Sequence, residues 1–387
     1  MDDPRPPSQF TIAAPQLFDG TAILGPALVT VSDGLIESVS LGGTVSRGAI
    51  TLPADTILAP GFIDVQVNGG GGVLLNDQPT EAGVRAIVEA HRKSGTTGCL
   101  PTLITDRTDI LERLATIAQA ALQIPGVLGF HLEGPALNKA RKGIHLESEI
   151  RVPDARDLAA MTSFGSCGRS MVTLAPECVP PALIEDLIAA GLRVSVGHSD
   201  ATAAQIEGAA DSGVTGVTHL FNAMSQLTPR EGGVVGAALD DPQLFAGMIC
   251  DGFHVAPANL RIAFRCKGRN RLMLVTDAMP LVGTDQQHFE LQGRRIGLQG
   301  GRLTGPDGTL AGAHLTMMEA VRNAVTLLDV TIEDALVMAS HTPATFLSLQ
   351  SQLGSIVPGY RADLVAFSSR FEVVETWIAG QPSGSSA

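Results

Sequence analysis

The chain has 387 residues, 44% of them hydrophobic and only 17% charged, which suits an α/β barrel of about 250 residues with a smaller accessory domain. Its formal net charge of -13 at pH 7 excludes a general nucleic-acid or membrane-surface binder, because such proteins need a cationic field. The five cysteines form no CxxC pair, so the sequence predicts neither a disulfide framework nor a thiolate zinc site, and a reducing cytoplasm fits best.

The chain begins with an acidic, proline-rich segment, MDDPRPPSQF, where a signal peptide would be basic and then apolar. No uninterrupted apolar run reaches about 18 residues, the length that a membrane-spanning helix requires. We therefore predict a cytoplasmic protein without a membrane segment.

Both ends of the chain have the sequence pattern of short β-strands. From about residue 10 to residue 58, the pieces TAILG, ALVTVS and LIESVSL alternate with Gly, Asp and Ser. Similar pieces, SIVPGY, ADLVAF and VVETWIAG, return after residue 354. Because chain ends often meet at a surface, we predict one β-sandwich domain formed by residues 1–58 and 355–387.

Between these ends, apolar strand-like runs alternate with amphipathic or largely buried helical stretches. The runs are 61–69, 97–103, 127–134, 171–177, 193–199, 216–222, 244–252 and 272–278. This alternation predicts a parallel sheet, and eight units predict closure into a (β/α)8 TIM-like barrel over residues 59–354. After the eighth run, residues 288–308 are predicted to form a β-hairpin at the barrel mouth, followed by closing helices at 314–328 and 331–340.

Four of the apolar runs end on side chains that suit a metal site. Glu133, His198 and His219 supply the three protein ligands that a catalytic divalent ion typically uses, with one position left open. A single histidine in an apolar strand is more often a satisfied core residue. The shared position of all three at strand ends nevertheless favours a metal site at the barrel mouth.

Asp277 follows the run LMLVT, again at a strand end. A carboxylate near a cation stays ionised and can take a proton from the attacking water. The alternative is a helix N-cap, which Asp also favours. Its place on the last barrel strand favours the role of general base.

Asp64, Gln66 and Asn68 alternate along the first barrel strand and so face one way. A binuclear hydrolase would place His-x-His here, whereas neutral amides are poor ligands for zinc or iron. We therefore expect one metal ion per chain. The two amides are expected either to form hydrogen bonds around the site or to coordinate weakly.

Taken in order, these motifs resemble the amidohydrolase superfamily, and more narrowly the N-acetylglucosamine-6-phosphate deacetylases. The resemblance covers nearly the whole chain through APGFIDVQVNGGGG, GTTGCLPTLIT, HLEGPALNKARKGIH, VSVGHSDAT, THLFNAMS, DGFHV, LVTDAM and PGYRADLVA. The combination of HLEGP, GHSDAT and THLFNAM is specific to these deacetylases, whereas PGFID and ADLV occur in many amidohydrolases. LAGAH at 310–314 has Ala where the family often has Ser, which bears only on fine sugar contacts.

The resemblance implies zinc or iron on Glu133, His198 and His219, Asp277 as the proton shuttle, and His145 as a group that helps to polarise the acetyl carbonyl. It also implies a substrate pocket formed by Ile144, His145, Asn222, Ala223, Arg230, the stretch from Asp251 to His254, Leu310, Ala311 and Gly312. Within that pocket, Arg230, His254 and Asn222 form the expected phosphate-binding set. On its own, Arg230 in LTPREGG reads as an exposed loop residue.

The implied activity is metal-dependent hydrolysis of the acetamide of N-acetylglucosamine 6-phosphate to glucosamine 6-phosphate and acetate. Two alternatives stay open. One is a deacetylase of N-acetylgalactosamine 6-phosphate or a related N-acetyl amino sugar, since motifs do not encode the orientation of one hydroxyl. The other is a non-catalytic assembly protein of the same fold, which the intact metal set and Asp277 disfavour. The resemblance also implies a homodimer in which Arg230 can serve the neighbouring subunit's site.

Overall fold

The computed structural model of the protein describes residues 9–384. Most of the acidic, proline-rich start and the last three residues of the predicted sandwich domain therefore lie outside the described residues. Within the described range, no helix combines the length and the apolar character that crossing a membrane requires.

An eight-stranded parallel sheet forms the centre of the molecule, as the alternation of strands and helices predicted. In chain order, barrel strands 1 to 8 are Phe62–Val67, Thr96–Ile104, His131–Glu133, Met171–Leu174, Arg193–Val196, Gly216–Val217, Phe245–Ile249 and Leu272–Val275. Every residue of barrel strand 1 is buried, as expected for a parallel strand covered on both faces.

The barrel closes just beyond the last residues of barrel strand 8. The backbone nitrogen of Asp277 donates to the carbonyl of Gln66 at 3.0 Å, and the nitrogen of Asn68 donates to the carbonyl of Ala278 at 2.9 Å. The closing bonds thus involve the same residues that the sequence placed at the metal site. Barrel closure fixes the distance between the first and the last strand at the mouth.

Helices cover the outside of the barrel between consecutive strands. They are Glu81–Arg92, Thr108–Ala121, Ala155–Ser163, Pro181–Ala189, Ala203–Asp211, Gly233–Asp240 and Pro257–Lys267. The first begins after Thr80, whose side chain accepts a hydrogen bond from the backbone nitrogen of Gly83, and it buries Val84, Ile87 and Val88. Short 3-10 helices occupy Lys139–Arg141, Glu147–Glu149, Phe164–Ser166 and Pro176–Cys178.

After the barrel, the chain forms the predicted closing helices. They are Met317–Asn323, the π-helical turn Ala324–Leu328, Ile332–Ala339 and His341–Phe346. Thr316 and Glu319 form a capping box at the start of the first one.

Strands from both chain ends share one sheet, as predicted. A four-stranded sheet contains, in spatial order, Leu35–Leu41, Ala27–Ser32, Gln9–Ala14 and Ile50–Thr51. A six-stranded sheet contains Gln381–Pro382, Val373–Ile378, Leu364–Ser368, Thr56–Pro60, Gln16–Phe18 and Ile23–Leu24. One apolar cluster that includes Ile12, Leu58, Leu364 and Trp377 lies between the two sheets. The exact domain boundaries stay a prediction.

The insertion after barrel strand 8 is larger than the hairpin that was predicted. It is a four-stranded antiparallel sheet of His288–Leu291, Arg294–Gln299, Arg302–Thr304 and Leu310–Ala313, which we call the mouth sheet. Its last strand returns to the barrel, because the nitrogen of Ala313 donates to the carbonyl of Asp277 at 2.9 Å. Gly312 has φ +60°, and a Cβ there would approach that same carbonyl to 2.8 Å, so this strand needs glycine. A smaller hairpin pairs Gly69–Gly70 with Val73–Leu74 after barrel strand 1.

Candidate active site

Glu133, His198 and His219 meet at the mouth of the barrel, where the sequence placed them. Oε1 of Glu133 lies 3.2 Å from Nε2 of His198 and 3.0 Å from Nε2 of His219, and the two imidazole nitrogens are 3.1 Å apart. All three side chains are buried, and one potential ligand atom from each lies within 4.8 Å of the others. Burial opposes ionisation of Glu133, but the adjacent imidazoles of His198 and His219 hold its pKa well below the ordinary value.

The contacts of His198 show that this cluster fits a metal ion. Its Nδ1 lies 2.8 Å from the carbonyl oxygen of Arg141. A carbonyl only accepts, so Nδ1 carries a proton, and in the neutral tautomer, the form that binds a metal ion, Nε2 presents a lone pair. That lone pair faces a carboxylate oxygen, which is also an acceptor. A divalent cation stabilises such converging acceptors, and the mixed nitrogen and oxygen set suits zinc or iron.

The backbone is left-handed at three of the four strand-end residues. The φ angles are +48° at His198, +33° at His219 and +51° at Asp277. Non-glycine residues in this region cost about 1–3 kcal/mol each, and such residues cluster at functional sites. All three of these residues line the cavity at the barrel mouth.

Two amides of barrel strand 1 hold the carboxylate of Asp277. Nδ2 of Asn68 donates to Oδ1 at 2.6 Å, and Nε2 of Gln66 donates to the same oxygen at 3.1 Å. Gln66 also donates to Oε1 of Glu133 at 3.2 Å. Both amides therefore act as hydrogen-bond donors that orient the two carboxylates, which agrees with the hydrogen-bonding interpretation of these residues.

The carboxylate of Asp277 is poised to exchange a proton. Burial raises its pKa to about 6, and the nearby charge of Glu133 adds to the shift. The side-chain hydrogen bonds that it accepts from described residues all reach Oδ1. Its Oδ2 is thus the oxygen that can take a proton from a molecule in the cavity.

A cavity of about 340 Å³ opens above this cluster. Besides the four strand-end residues, it is lined by these predicted pocket residues: Ile144, His145, Asn222, Ala223, His254, Leu310 and Gly312. The structure therefore brings together side chains from the loops after barrel strands 3, 6 and 7 and from the mouth sheet. Its size suits a small polar metabolite.

His145 lies beside the metal ligands. Its Nε2 is 3.9 Å from Oε2 of Glu133, and its ring centre is 4.4 Å from that of His198. Burial and the neighbouring His198 lower the pKa of His145 to about 3, so the imidazole is neutral and suited to polarising a carbonyl.

Five predicted pocket residues do not line the cavity: Arg230, Asp251, Gly252, Phe253 and Ala311. Asp251 accepts a hydrogen bond of 2.7 Å from Nδ1 of His254 and so supports a residue that does. Ala311 is buried in the apolar core of the mouth sheet. Arg230 is exposed on the loop before the helix Gly233–Asp240. Within residues 9–384 its side chain makes no hydrogen bond or ion pair, as expected from the sequence context alone.

Several lining residues were not predicted. Arg141 lines the cavity and supplies the carbonyl that orients His198, yet a backbone carbonyl has no signature in the sequence. Ile104, Met279 and Thr309 also line it. Ile104 ends barrel strand 2, so its strand-end position was a usable signal.

This barrel and its mouth define the class of protein: the chain belongs to the amidohydrolase family, whose model matches residues 57–382. Within that family, it is 39% identical to the N-acetylgalactosamine-6-phosphate deacetylase of Shewanella sp. (strain ANA-3), over 97% of each chain. It is 35% identical to the N-acetylglucosamine-6-phosphate deacetylase of Haemophilus influenzae, over 93% of this chain and 95% of that one.

Solved structures agree with this assignment. The crystal structure of N-acetylglucosamine-6-phosphate deacetylase from Pasteurella multocida superimposes with a TM-score of 0.93 and 32% identity. The superposition covers 97% of this chain and 99% of that one. The predicted resemblance and the predicted barrel are both confirmed.

Proposed function

We propose that this protein hydrolyses the acetamide of N-acetylglucosamine 6-phosphate, with water as co-substrate, to glucosamine 6-phosphate and acetate. The observation that carries the proposal is the position of Asp277. Its proton-accepting carboxylate shares one cavity with the converged ligand set of Glu133, His198 and His219. This combination supports metal-assisted hydrolysis at a carbonyl group.

Each residue has a distinct task in this reaction. One divalent ion per chain, zinc or iron, held by Glu133, His198 and His219 would acidify a water molecule and polarise the acetyl carbonyl. Oδ2 of Asp277 takes a proton from the attacking water and then delivers it to the leaving nitrogen. Asn68 and Gln66 keep Oδ1 fixed, which leaves Oδ2 for the proton. Neutral His145 donates a hydrogen bond to the acetyl oxygen.

The sugar phosphate requires a cationic subsite at the other end of the cavity. His254 lines the cavity with its Nδ1 bonded to Asp251, so Nε2 is the nitrogen left for the ligand. We infer that Asn222 adds an amide donor and that Arg230 adds the permanent charge that suits a dianion. Because Arg230 is exposed and does not line the cavity of its own chain, we infer a homodimer in which it reaches the partner's site.

A second candidate substrate is N-acetylgalactosamine 6-phosphate. The observation in its favour is the 39% identity to a deacetylase of that name, over 97% of both chains. The two sugars differ in the orientation of one hydroxyl, and the same metal site and base serve both.

As the compartment we propose the cytoplasm, since the cysteines of the described chain are free thiols.

An amine-release assay on a panel of N-acetyl amino sugars tests the proposal. The panel contains the glucosamine and galactosamine epimers, each with and without the 6-phosphate, and the metal content is measured by elemental analysis. We expect release of acetate from a phosphorylated sugar, with the glucosamine epimer preferred. Preference for the galactosamine epimer selects the second candidate, and release from none of the sugars overturns both.

A further inference from the structure

Glu177 occupies a junction between three loops at the barrel mouth. It lies in the 3-10 helix Pro176–Cys178, directly after barrel strand 4, and its side chain is half-buried. Its Oε1 accepts hydrogen bonds from the backbone nitrogen of Asp200 at 2.6 Å and from Nδ2 of Asn138 at 2.9 Å. Its Oε2 accepts one from the hydroxyl of Ser199 at 2.7 Å. One carboxylate thus ties the loop after barrel strand 3 to the loop after barrel strand 5.

His198 belongs to the second of these loops and forms hydrogen bonds with the first. Ser199 and Asp200 follow it directly in the chain. On the other side, the backbone nitrogen of Asn138 donates to the carbonyl of His198 at 2.8 Å.

The loop after barrel strand 3 also sets the ring of His198. The side chain of Asn138 caps the 3-10 helix Lys139–Arg141 by accepting from the nitrogen of Ala140 at 2.9 Å. That helix ends at Arg141, whose carbonyl accepts from Nδ1 of the His198 ring at 2.8 Å. The peptide unit and the ring of His198 are therefore both fixed by a segment that Glu177 holds in place.

His198 needs such support because its φ angle of +48° is unfavourable for a histidine. A second side-chain link between the two loops is the ion pair of Arg141 and Asp200, at 2.8 Å. Both of its side chains are more than a third exposed, so water and salt weaken it. A half-buried carboxylate that accepts three hydrogen bonds is the stronger link, since bonds to a charged acceptor are about twice as strong as neutral ones.

We propose that Glu177 is a positioning residue for His198, which sets the direction of Nε2 and through it the affinity of the site for its metal ion. Glu177 does not line the cavity, so it acts through His198 and not on the substrate. The inference rests on the proposed metal site, and its test does not depend on which sugar is the substrate. Residues that orient a metal-binding histidine typically change metal affinity about tenfold to a hundredfold when they are replaced.

The test uses Glu177→Gln, Glu177→Ala and, as matched control, Glu185→Gln. Glu185 is exposed on the helix Pro181–Ala189, and its side chain makes no hydrogen bond or ion pair within the described residues. Each full-length protein is stripped of metal and titrated with Co²⁺ in competition with a chelator, and the visible absorption of the Co²⁺ complex is recorded. Circular dichroism and the unfolding midpoint report whether each variant is folded.

For Glu177→Gln we expect a Co²⁺ dissociation constant raised about tenfold to a hundredfold, with an altered visible spectrum, and the control is expected to match the wild type. With saturating metal, kcat should fall while KM changes little. The amide keeps one acceptor oxygen, so this variant decides the question if Glu177→Ala does not fold. Folded variants with wild-type cobalt affinity and spectrum overturn the positioning role.

The two proposals fail in different ways. If the wild-type protein binds Co²⁺ more tightly than Glu177→Gln but releases acetate from no sugar, the proposed substrate is wrong and the role of Glu177 stands. If the wild type deacetylates a sugar phosphate, and both Glu177 variants bind Co²⁺ and hydrolyse that sugar phosphate as the wild type does, only the role of Glu177 is wrong.

Discussion

Asn68 donates a hydrogen bond of 2.6 Å from its side chain to the carboxylate of Asp277, across the seam where the last barrel strand meets the first. The two residues are 209 positions apart in the chain. The side-chain hydrogen bonds that Asp277 accepts from described residues all reach Oδ1, which leaves Oδ2 for a proton. The same two residues thus take part in barrel closure, through their backbone nitrogens, and in the proposed proton transfer, through their side chains.

Asp277→Asn should keep the fold and the metal but lose at least about a hundredfold in turnover, the usual contribution of a general acid and base. The amide cannot take a proton from water at neutral pH. Steady-state amine release measures the loss, and elemental analysis checks that the metal is retained. Asp285→Asn, on the exposed loop before the mouth sheet, is the control and should turn over normally. Near-normal turnover by Asp277→Asn would remove this residue from the mechanism.

The purified protein should contain about one divalent metal ion per chain, because Gln66 and Asn68 are occupied as donors to Asp277. Replacing both with histidine places two imidazoles at i and i+2 on one face of barrel strand 1. The double variant should take up a second ion under metal-rich conditions, as measured by elemental analysis. Two tightly held ions in the wild type would contradict this prediction and make Gln66 and Asn68 ligands.

Arg230→Ala should raise KM for the 6-phosphate sugar by a factor of tens, which corresponds to about 2 kcal/mol for a charge-assisted contact. KM for the unphosphorylated sugar should change little. Equal losses on both substrates would indicate a structural role.

Because Arg230 is exposed and outside the cavity of its own chain, we expect it to act across a subunit interface. Mixing Arg230→Ala with inactive Asp277→Asn under conditions of subunit exchange should then restore activity at low substrate. In the mixed dimer, one site has both an intact Asp277 and a partner that retains Arg230. Absence of recovery, in a mixture shown to contain mixed dimers, argues for action within one chain.

Removal of the metal should lower the unfolding temperature as well as abolish turnover, because an ion that binds only the folded chain stabilises it. A free ion concentration of a hundred times the dissociation constant contributes about 2.7 kcal/mol. Thermal unfolding with and without Zn²⁺ measures the shift. Glu133→Gln should reduce it, since the amide is a weaker ligand than the carboxylate. A wild-type midpoint that does not respond to Zn²⁺ would argue against a tight site.

Much of the site could be predicted because parallel barrel strands are buried on both faces and end at one rim. Apolar runs that stop at Glu133, His198, His219 and Asp277 therefore identify both the strands and the mouth. The roles expected for these four residues follow from the local sequence and from the position of all four strand ends at one rim of the barrel.

Other features depend on contacts that no local pattern encodes. The mouth sheet has four strands where a two-stranded hairpin was predicted. Its last strand, Leu310–Ala313, contains a glycine and pairs both with Arg302–Thr304 and with backbone groups of Asp277 and Met279. The bond between Asn68 and Asp277 exists only once the barrel closes. Glu177 looks like an ordinary loop carboxylate in TLAPE, and its three donors become visible only in the structure.

The left-handed backbone at His198, His219 and Asp277 bears on enzyme design. A designer who copies only these side chains onto regular strands of another barrel would lose the left-handed turns that place them at the cavity. The transferable unit is each residue together with its turn and the loop that stabilises the turn. For His198 that unit includes segments from three different loops, so a graft of this centre requires most of one barrel face.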